Sequence, residues 1–242
     1  MYIIKITRID YRMETNTEIL LKINTDPLLR DEFKDIQRFT KCIFCEPPKK
    51  KILVETKSFY VTYDACALLD GHAEIHTKDH IGCSAEVSEE IFDEFVNLKA
   101  WLGKLVSDIY GDVSFYEHGR AGHCSMTIDG VICHHFHMHA LPFTNDISSR
   151  IASDISEPII IKNEYEILKL YEEYDQYLYF ENTQGIKYFF PVNGDIPSHY
   201  LRTVIAKSIG RPERADWEHY FSRDAINNFK KAIATKKIGG KI

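Results

Sequence analysis

The sequence places three histidines at alternate positions in one short segment, His135-Phe136-His137-Met138-His139-Ala140-Leu141, which Pro142 follows. The apolar residues between them favour a β-strand, in which alternate side chains share a face. Val131–Leu141 is therefore predicted as a strand that presents three imidazoles on one side, about 6.6 Å apart at the rise of a strand. Phe136 and Met138 would point to the opposite side, into whatever covers the sheet.

Such a row of histidines could belong to an exposed strand without a function. It could also form a metal site, a phosphate site, or both side by side. The pair in Cys42-Ile43-Phe44-Cys45 supports the last of these. A Cys-x-x-Cys knuckle presents two thiolates to one zinc ion, which needs two further ligands. The sequence has no second Cys-x-x-Cys, so histidine would complete the shell. A buried or redox-active cysteine pair is the alternative.

Composition limits the classes of function. The chain has 242 residues, of which 44% are hydrophobic and 27% charged, as in ordinary globular proteins. Its net charge of -6 argues against nucleic acid and against an anionic membrane surface as partners. No apolar run approaches the roughly 18 residues of a membrane span, and the first residues lack the features of a secretory signal. We therefore expect a cytoplasmic protein without membrane contact.

The periodicity of apolar residues predicts an α+β fold. Short segments rich in branched and aromatic residues predict strands at Ile52–Glu55, Phe59–Asp64 and Ala73–Thr77. A single apolar stripe after Ser88 predicts a long helix, which Gly111 ends. Because strands lie on both sides of this helix in the sequence, we expect a mainly antiparallel sheet. A further helix is predicted between Asp26 and about residue 40.

Residues 143–242 are predicted to form a C-terminal α/β extension packed on the domain of residues 1–142. A hairpin is expected at Tyr177–Phe180 and Ile186–Phe190, with helices from Pro197 and from Asp224. The segment Asn145–Glu157, which is rich in Ser and Asp, is predicted as a mobile loop or boundary.

These motifs resemble the histidine-triad (HIT) superfamily, whose signature is His-φ-His-φ-His-φ-φ on a strand, φ being apolar. The segment from Tyr63 to His80, with Gly71-His72 at its turn, is similar to the strand-turn-strand segment of that superfamily. The cysteine pair lies where zinc-bearing members have theirs. The similarity covers about residues 40–142, with a weaker one to the tail of larger members over residues 176–220. It implies a HIT-like fold.

The resemblance implies a structural zinc ion bound by Cys42, Cys45, His80 and His135. A closed shell of four ligands leaves no open coordination position, so the remaining histidines are free for other chemistry. For His80 the alternative is a histidine that caps backbone groups at the start of a helix.

The resemblance also implies that His137 is a nucleophile. A neutral imidazole can attack phosphorus at neutral pH and leave again, which divides one difficult displacement into two. The chain would then be a nucleotide hydrolase or nucleotidyltransferase, which acts at the α-phosphate of a nucleotide or nucleotide conjugate through a nucleotidyl-histidine intermediate. Water, phosphate or a sugar phosphate would be the acceptor. His139 would donate hydrogen bonds to the phosphoryl oxygens.

Three further positions are implied in substrate binding, and two of them depart from the superfamily pattern. Asp64 lies where relatives carry a ribose-binding aspartate, although a turn-capping role is the alternative. Glu117 and His118 lie where many members have Asn-x-Gly beside the phosphates. A glutamate there would repel phosphate unless protonated or turned away, and His118 could replace the missing donor.

These departures keep other functions open. The chain could be a non-catalytic nucleotide-binding or RNA-processing accessory module of the HIT-like superfamily, or a zinc-structured scaffold without a nucleotide site. The acidic charge and the intact triad argue against the accessory module. Because many compact members dimerise, a homodimer is also expected, unless the tail occupies that surface.

Overall fold

The structure is a computed structural model that describes residues 2–9, 16–23, 42–122, 127–128, 131–132, 134–217 and 219–235. The helix predicted after Asp26 lies outside these residues. The strands are β1 (Tyr2–Ile9), β2 (Asn16–Ile23), β3 (Ile52–Glu55), β4 (Phe59–Tyr63), β5 (Ala73–Thr77), β6 (Ser114–Gly119), β7 (Thr127–Ile128), β8 (Val131–Ile132), β9 (His137–Leu141), β10 (Ile159–Ile161), β11 (Tyr177–Glu181) and β12 (Lys187–Pro191). The α-helices are α1 (Glu89–Tyr110), α2 (Ser148–Asp154), α3 (Tyr165–Tyr171), α4 (Tyr200–Ser208) and α5 (Arg223–Thr235).

Eight strands form one antiparallel sheet in the order β10-β12-β11-β6-β9-β5-β4-β3. β1 pairs with β2, and β7 with β8, in separate antiparallel hairpins. The α+β class with a mainly antiparallel sheet is thus confirmed. β11, from residues 143–242, pairs with β6, from residues 1–142. One sheet therefore contains strands from both parts, while the division at residue 142 stays a prediction.

Helix α1 covers one face of the sheet. As predicted, it follows Ser88 and ends at Gly111, whose φ of 96° lies in the region that favours glycine. Its apolar side packs against Phe136 and Met138, and the rings of Phe95 and Phe136 meet edge to face with centroids 5.4 Å apart. The face that carries the histidines is therefore the other one.

A second apolar cluster covers part of the histidine face. Leu178 and Phe180 of β11 pack there with Leu201 and Ile205 of α4. The C-terminal part of the chain consequently borders the site. None of the helices in the described ranges combines the length and the apolarity needed to cross a bilayer.

Two predicted elements differ in the structure. The strand expected over Val131–Leu141 is interrupted, because β8 ends at Ile132 and β9 begins only at His137. His135 therefore precedes the strand, although Phe136 still packs under α1. The predicted loop Asn145–Glu157 contains α2, which buries Ile151 in the second apolar cluster.

Candidate active site and metal centre

The two predicted catalytic histidines lie on β9, in the middle of the sheet. His137 pairs with His76 of β5, and His139 pairs with Glu74. Because Met138 points into the core under α1, these four side chains point to the opposite face. The rings of His137 and His139 are nearly perpendicular, with centroids 5.1 Å apart.

A backbone carbonyl fixes the ring of His137. Nδ1 lies 2.7 Å from the carbonyl oxygen of His135. A carbonyl oxygen can only accept a hydrogen bond, so Nδ1 carries the proton of the neutral ring. The lone pair of His137 is then on Nε2, where it is free to form a bond. Phe44 stacks on this ring with a centroid separation of 5.1 Å and an interplanar angle of 20°.

A chain of hydrogen bonds gives His139 the opposite tautomer. The backbone N–H of Leu68 donates to Nδ1 of His72 at 3.1 Å, which leaves the proton of His72 on Nε2. This Nε2–H donates to Nδ1 of His139 at 3.0 Å. The proton of His139 is therefore on Nε2. Burial lowers the pKa of His72, and that of His139 well below its ordinary value, so both rings are neutral near pH 7.

Asp64 reaches the same face, but its carboxylate is engaged within the protein. The residue is only 4% exposed. Oδ1 accepts a hydrogen bond from the backbone N–H of Cys66 at 2.6 Å, and Oδ2 lies 3.3 Å from Nη1 of Arg202. Oδ2 also lies 3.0 Å from Nδ1 of His72. Burial opposes ionisation of Asp64, but the charge of Arg202 and the hydrogen bond from Cys66 outweigh it and lower its pKa below the ordinary value.

β6 places Glu117 and His118 on opposite faces of the sheet. The carboxylate of Glu117 accepts hydrogen bonds from the backbone N–H and the hydroxyl of Ser84, at 2.7 and 2.6 Å. It lies on the α1 side, so its predicted contact with a substrate phosphate is corrected. His118 lies on the histidine face, but its Nε2 accepts the backbone N–H of Leu201 at 3.1 Å. Burial lowers the pKa of His118 to about 3.

A second row of polar residues beside the triad is absent from the sequence predictions. It consists of His72, Glu74 and His76, which alternate with Ala73 and Ile75. This alternation is the sequence signal that could have revealed them, because it directs three ionisable side chains to one face of a predicted strand. All three are on the histidine face, next to His137 and His139.

The four predicted metal ligands lie together at one end of this face. Their ligand atoms, Sγ of Cys42 and Cys45 and ring nitrogens of His80 and His135, are all within 4.8 Å of one another. Nε2 of His135 donates to the carbonyl oxygen of Thr77 at 3.0 Å, so the lone pair on Nδ1 faces the cluster. Hydrogen bonds of this kind orient metal-binding histidines. The cluster could therefore hold a metal ion.

The protonation chemistry of the cluster suits a cation. Burial lowers the pKa of His135 to about 3, which leaves Nδ1 unprotonated near neutral pH. Burial and the adjacent Cys42 raise the pKa of Cys45 to about 11, and a bound cation reverses this effect because metal ligation deprotonates thiols. Two thiols and two imidazoles form one of the ligand sets of structural zinc sites.

Comparison with protein families agrees with this geometry. Residues 30–154, just over half of the chain, match the family described as "protein similar to CwfJ C-terminal". The chain belongs to this family, and the match together with the triad confirms that it is a HIT-like protein. Comparison with curated protein sequences gives no significant match.

Several solved structures resemble parts of the chain. A hypothetical histidine-triad nucleotide-binding protein from Sulfolobus tokodaii is 19% identical over 42% of this chain and 68% of its own, with a TM-score of 0.33. The diadenosine triphosphate hydrolase of Plasmodium falciparum is 16% identical over 52% and 79%, with a TM-score of 0.32. A hypothetical protein from Leishmania major is 20% identical over 56% and 94%, with a TM-score of 0.35.

Proposed function

We propose that the chain is an enzyme that transfers a nucleotidyl group through a covalent bond to His137. The observation that supports this proposal is the pair of opposite tautomers on β9. His137 presents a lone pair on Nε2, whereas His139 presents a proton on its own Nε2. Phosphoryl transfer needs both groups, a nucleophile for phosphorus and a donor for the charge that develops on the phosphoryl oxygens.

In the first half of the proposed reaction, the lone pair of His137 forms a bond to the α-phosphorus. The phosphorus–oxygen bond to the leaving group breaks at the same time. The Nε2–H of His139 donates to a phosphoryl oxygen throughout. In the second half, the oxygen of water or of another acceptor bonds to phosphorus, and the phosphorus–nitrogen bond to His137 breaks.

We propose that Cys42, Cys45, His80 and His135 hold a structural zinc ion. Such an ion supplies no chemistry to the reaction, because four protein ligands close its coordination shell. It would still act on the nucleophile, since His135 provides both a ligand nitrogen and the carbonyl oxygen that fixes His137. In this proposal Asp64 neutralises Arg202, and it does not accept the ribose hydroxyls.

The experiment that tests this function is to trap the covalent intermediate. The purified chain is incubated with 4-nitrophenyl esters of nucleoside 5′-monophosphates carrying each of the common bases. It is then quenched in denaturant at alkaline pH, because acid hydrolyses a phosphorus–nitrogen bond to histidine, and measured by intact mass and peptide mapping. We expect a mass increase of one nucleotidyl group on His137. His137→Ala should lose the adduct and more than about a thousandfold in turnover. His219→Ala, which changes an exposed histidine, is the matched control.

Two outcomes would contradict the proposal. Turnover that survives in His137→Ala would mean that another group attacks phosphorus. Saturable nucleotide binding without adduct or turnover would indicate a nucleotide-binding accessory module instead.

A further inference from the structure

Two buried carboxyl groups lie beside His139 on the histidine face. Oε1 of Glu74 is 3.3 Å from Nδ1 of His139, and Oδ2 of Asp64 is 4.0 Å from the same nitrogen. Asp64 has a function in the packing of the site, since it pairs with Arg202. Glu74 has no such function in the proposed mechanism, although a carboxyl buried in the middle of a sheet is costly unless it is compensated.

The two carboxyls differ in the groups that surround them, and these groups favour different protonation states. Asp64 accepts hydrogen bonds from a guanidinium and from a backbone N–H. Around Glu74, the hydroxyl of Thr62 donates to Oε2 at 3.4 Å, and Nε2 of His76 lies 3.5 Å from the same oxygen. No lysine or arginine of the described chain lies within 4 Å of Glu74. Asp64 therefore forms an ion pair with a guanidinium, and Glu74 has no such pair with a lysine or arginine of the described residues.

Ionisation of the two groups follows from this difference. Burial raises the pKa of Glu74 to about 7, and the nearby charge of Asp64 adds to this effect. The pKa of Asp64 is instead below its ordinary value. Two neighbouring carboxyls whose pKa values are separated by their surroundings form the arrangement by which enzymes assign acid and base roles. Glu74 can both hold and release a proton near neutral pH.

Resting on the proposed function, we propose that Glu74 is the proton donor to the leaving group and, in the second half of the reaction, the acceptor of the proton of water. It sits on β5 directly beside β9, and its side chain keeps 13% exposure to the site. In the proposed mechanism no other group supplies a proton to the leaving oxygen.

The proton balance of this step is simple. As the bond from Nε2 of His137 to phosphorus forms and the phosphorus–oxygen bond breaks, the carboxyl proton of Glu74 moves to the departing oxygen. Glu74 is then a carboxylate. When water attacks, its proton returns to Glu74, its oxygen bonds to phosphorus, and His137 is released.

A donor of this kind defines the class of substrate. A leaving group that is stable as an anion, such as 4-nitrophenolate, departs without a proton. An alcohol or a plain phenol leaves slowly unless it is protonated as the bond breaks. The inference is therefore that the site is built for nucleotide esters with basic leaving oxygens.

The test compares two leaving groups on one nucleotide. The first half of the reaction, the release of phenol or 4-nitrophenol in a single turnover with excess chain, is measured for the two esters of the best nucleotide. It is measured for the zinc-loaded wild-type chain and for Glu74→Gln. We expect Glu74→Gln to lose about a hundredfold or more with the phenyl ester and less than about fivefold with the 4-nitrophenyl ester. Glu117→Gln is the matched control, because burial raises the pKa of Glu117 to about 7 as well, but on the other face of the sheet. It should leave the ratio of the two rates unchanged.

A second variant tests whether the carboxyl itself is needed. In Glu74→Ala, added acetate should restore part of the single-turnover release of phenol and leave that of 4-nitrophenol unaffected. Equal losses with both esters, or no rescue by acetate in a folded variant, would overturn the role of Glu74 while leaving His137 as the nucleophile. Absence of any adduct or turnover in the wild type would instead overturn the proposed function itself.

Discussion

His135 and His137 are two residues apart, and each donates a hydrogen bond to a backbone carbonyl, but they use different ring nitrogens. His135 donates from Nε2 to Thr77, which directs Nδ1 to the cysteine cluster. His137 donates from Nδ1 to His135, which leaves Nε2 free. The position of one carbonyl oxygen thus decides whether an imidazole of this segment directs a lone pair to the cysteine cluster or keeps Nε2 free.

The surroundings of the two sites differ as well. In the metal centre, Cys45 and His80 are exposed and the ligands come from distant parts of the sequence. Around His139, the rings of His72, His139 and Tyr116 are buried, and Tyr116 stacks on His139 with centroids 4.1 Å apart. A cation can stabilise the first arrangement by joining separate segments. The buried rings around His139 are held in fixed tautomers, as the proposed phosphoryl transfer requires.

The largest expected effect is on the metal centre. Cys42→Ser should lose the one zinc ion per chain, because an alcohol is a poor zinc ligand. At a free zinc concentration of a thousand times the Kd, this removes about 4 kcal/mol from the free energy of unfolding and lowers the Tm by about 10 °C. Metal content by mass spectrometry and thermal unfolding measure both quantities.

The matched control for this variant is Cys66→Ser, which changes a buried cysteine outside the cluster. It should retain one zinc ion per chain. If Cys42→Ser still bound zinc with wild-type stoichiometry, the four-residue centre would be wrong.

A smaller effect is expected when His72 is replaced. This change tests the tautomer of His139 and leaves the candidate metal centre intact. His72→Ala removes the donor to Nδ1 of His139, and we expect kcat/KM to fall by about tenfold with zinc content unchanged. His72→Gln should recover part of this loss, since its amide N–H can donate in place of Nε2–H. Equal losses in both variants would mean that His72 only fills space.

The smallest effect is expected at Phe44, which lies between the two cysteines and stacks on both His76 and His137. Phe44→Leu should keep zinc and lower kcat by about fivefold, because an aromatic pair contributes about 1 kcal/mol to the position of a ring. A kcat equal to that of the wild type would show that the metal centre and His137 are linked through the His135 carbonyl alone.

Much of the fold could be predicted because the periodicity of apolar residues is local information. The stripe after Ser88 gave α1, and the β-branched residues of Ile52–Glu55 and Ala73–Thr77 gave β3 and β5. The break before β9 could not be predicted, because an alternating pattern continues through His135 while the chain there turns towards the cysteines. α2 could not be predicted, because the packing role of Ile147 and Ile151 depends on distant residues of the apolar cluster that they join.

Of the candidate site, the residues that lie in short motifs could be predicted, and those placed by distant contacts could not. Cys42, His135, His137 and His139 belong to short motifs with fixed spacing. Arg202 could not be placed, because 138 residues separate it from the Asp64 carboxylate that it neutralises. The position of Glu117 on the α1 side follows from the register of β6, which no motif encodes.

The measurement that tests the central claim most directly is nitrogen NMR of the zinc-loaded wild-type chain, labelled with ¹⁵N in its histidine rings. Single His→Gln variants assign the signals of residues 72, 135, 137 and 139. We expect a proton on Nε2 of His135, with Nδ1 bound to metal, a proton on Nδ1 of His137, and a proton on Nε2 of His139. A proton on Nε2 of His137, or a His137 signal that shifts as a zinc ligand, would contradict it.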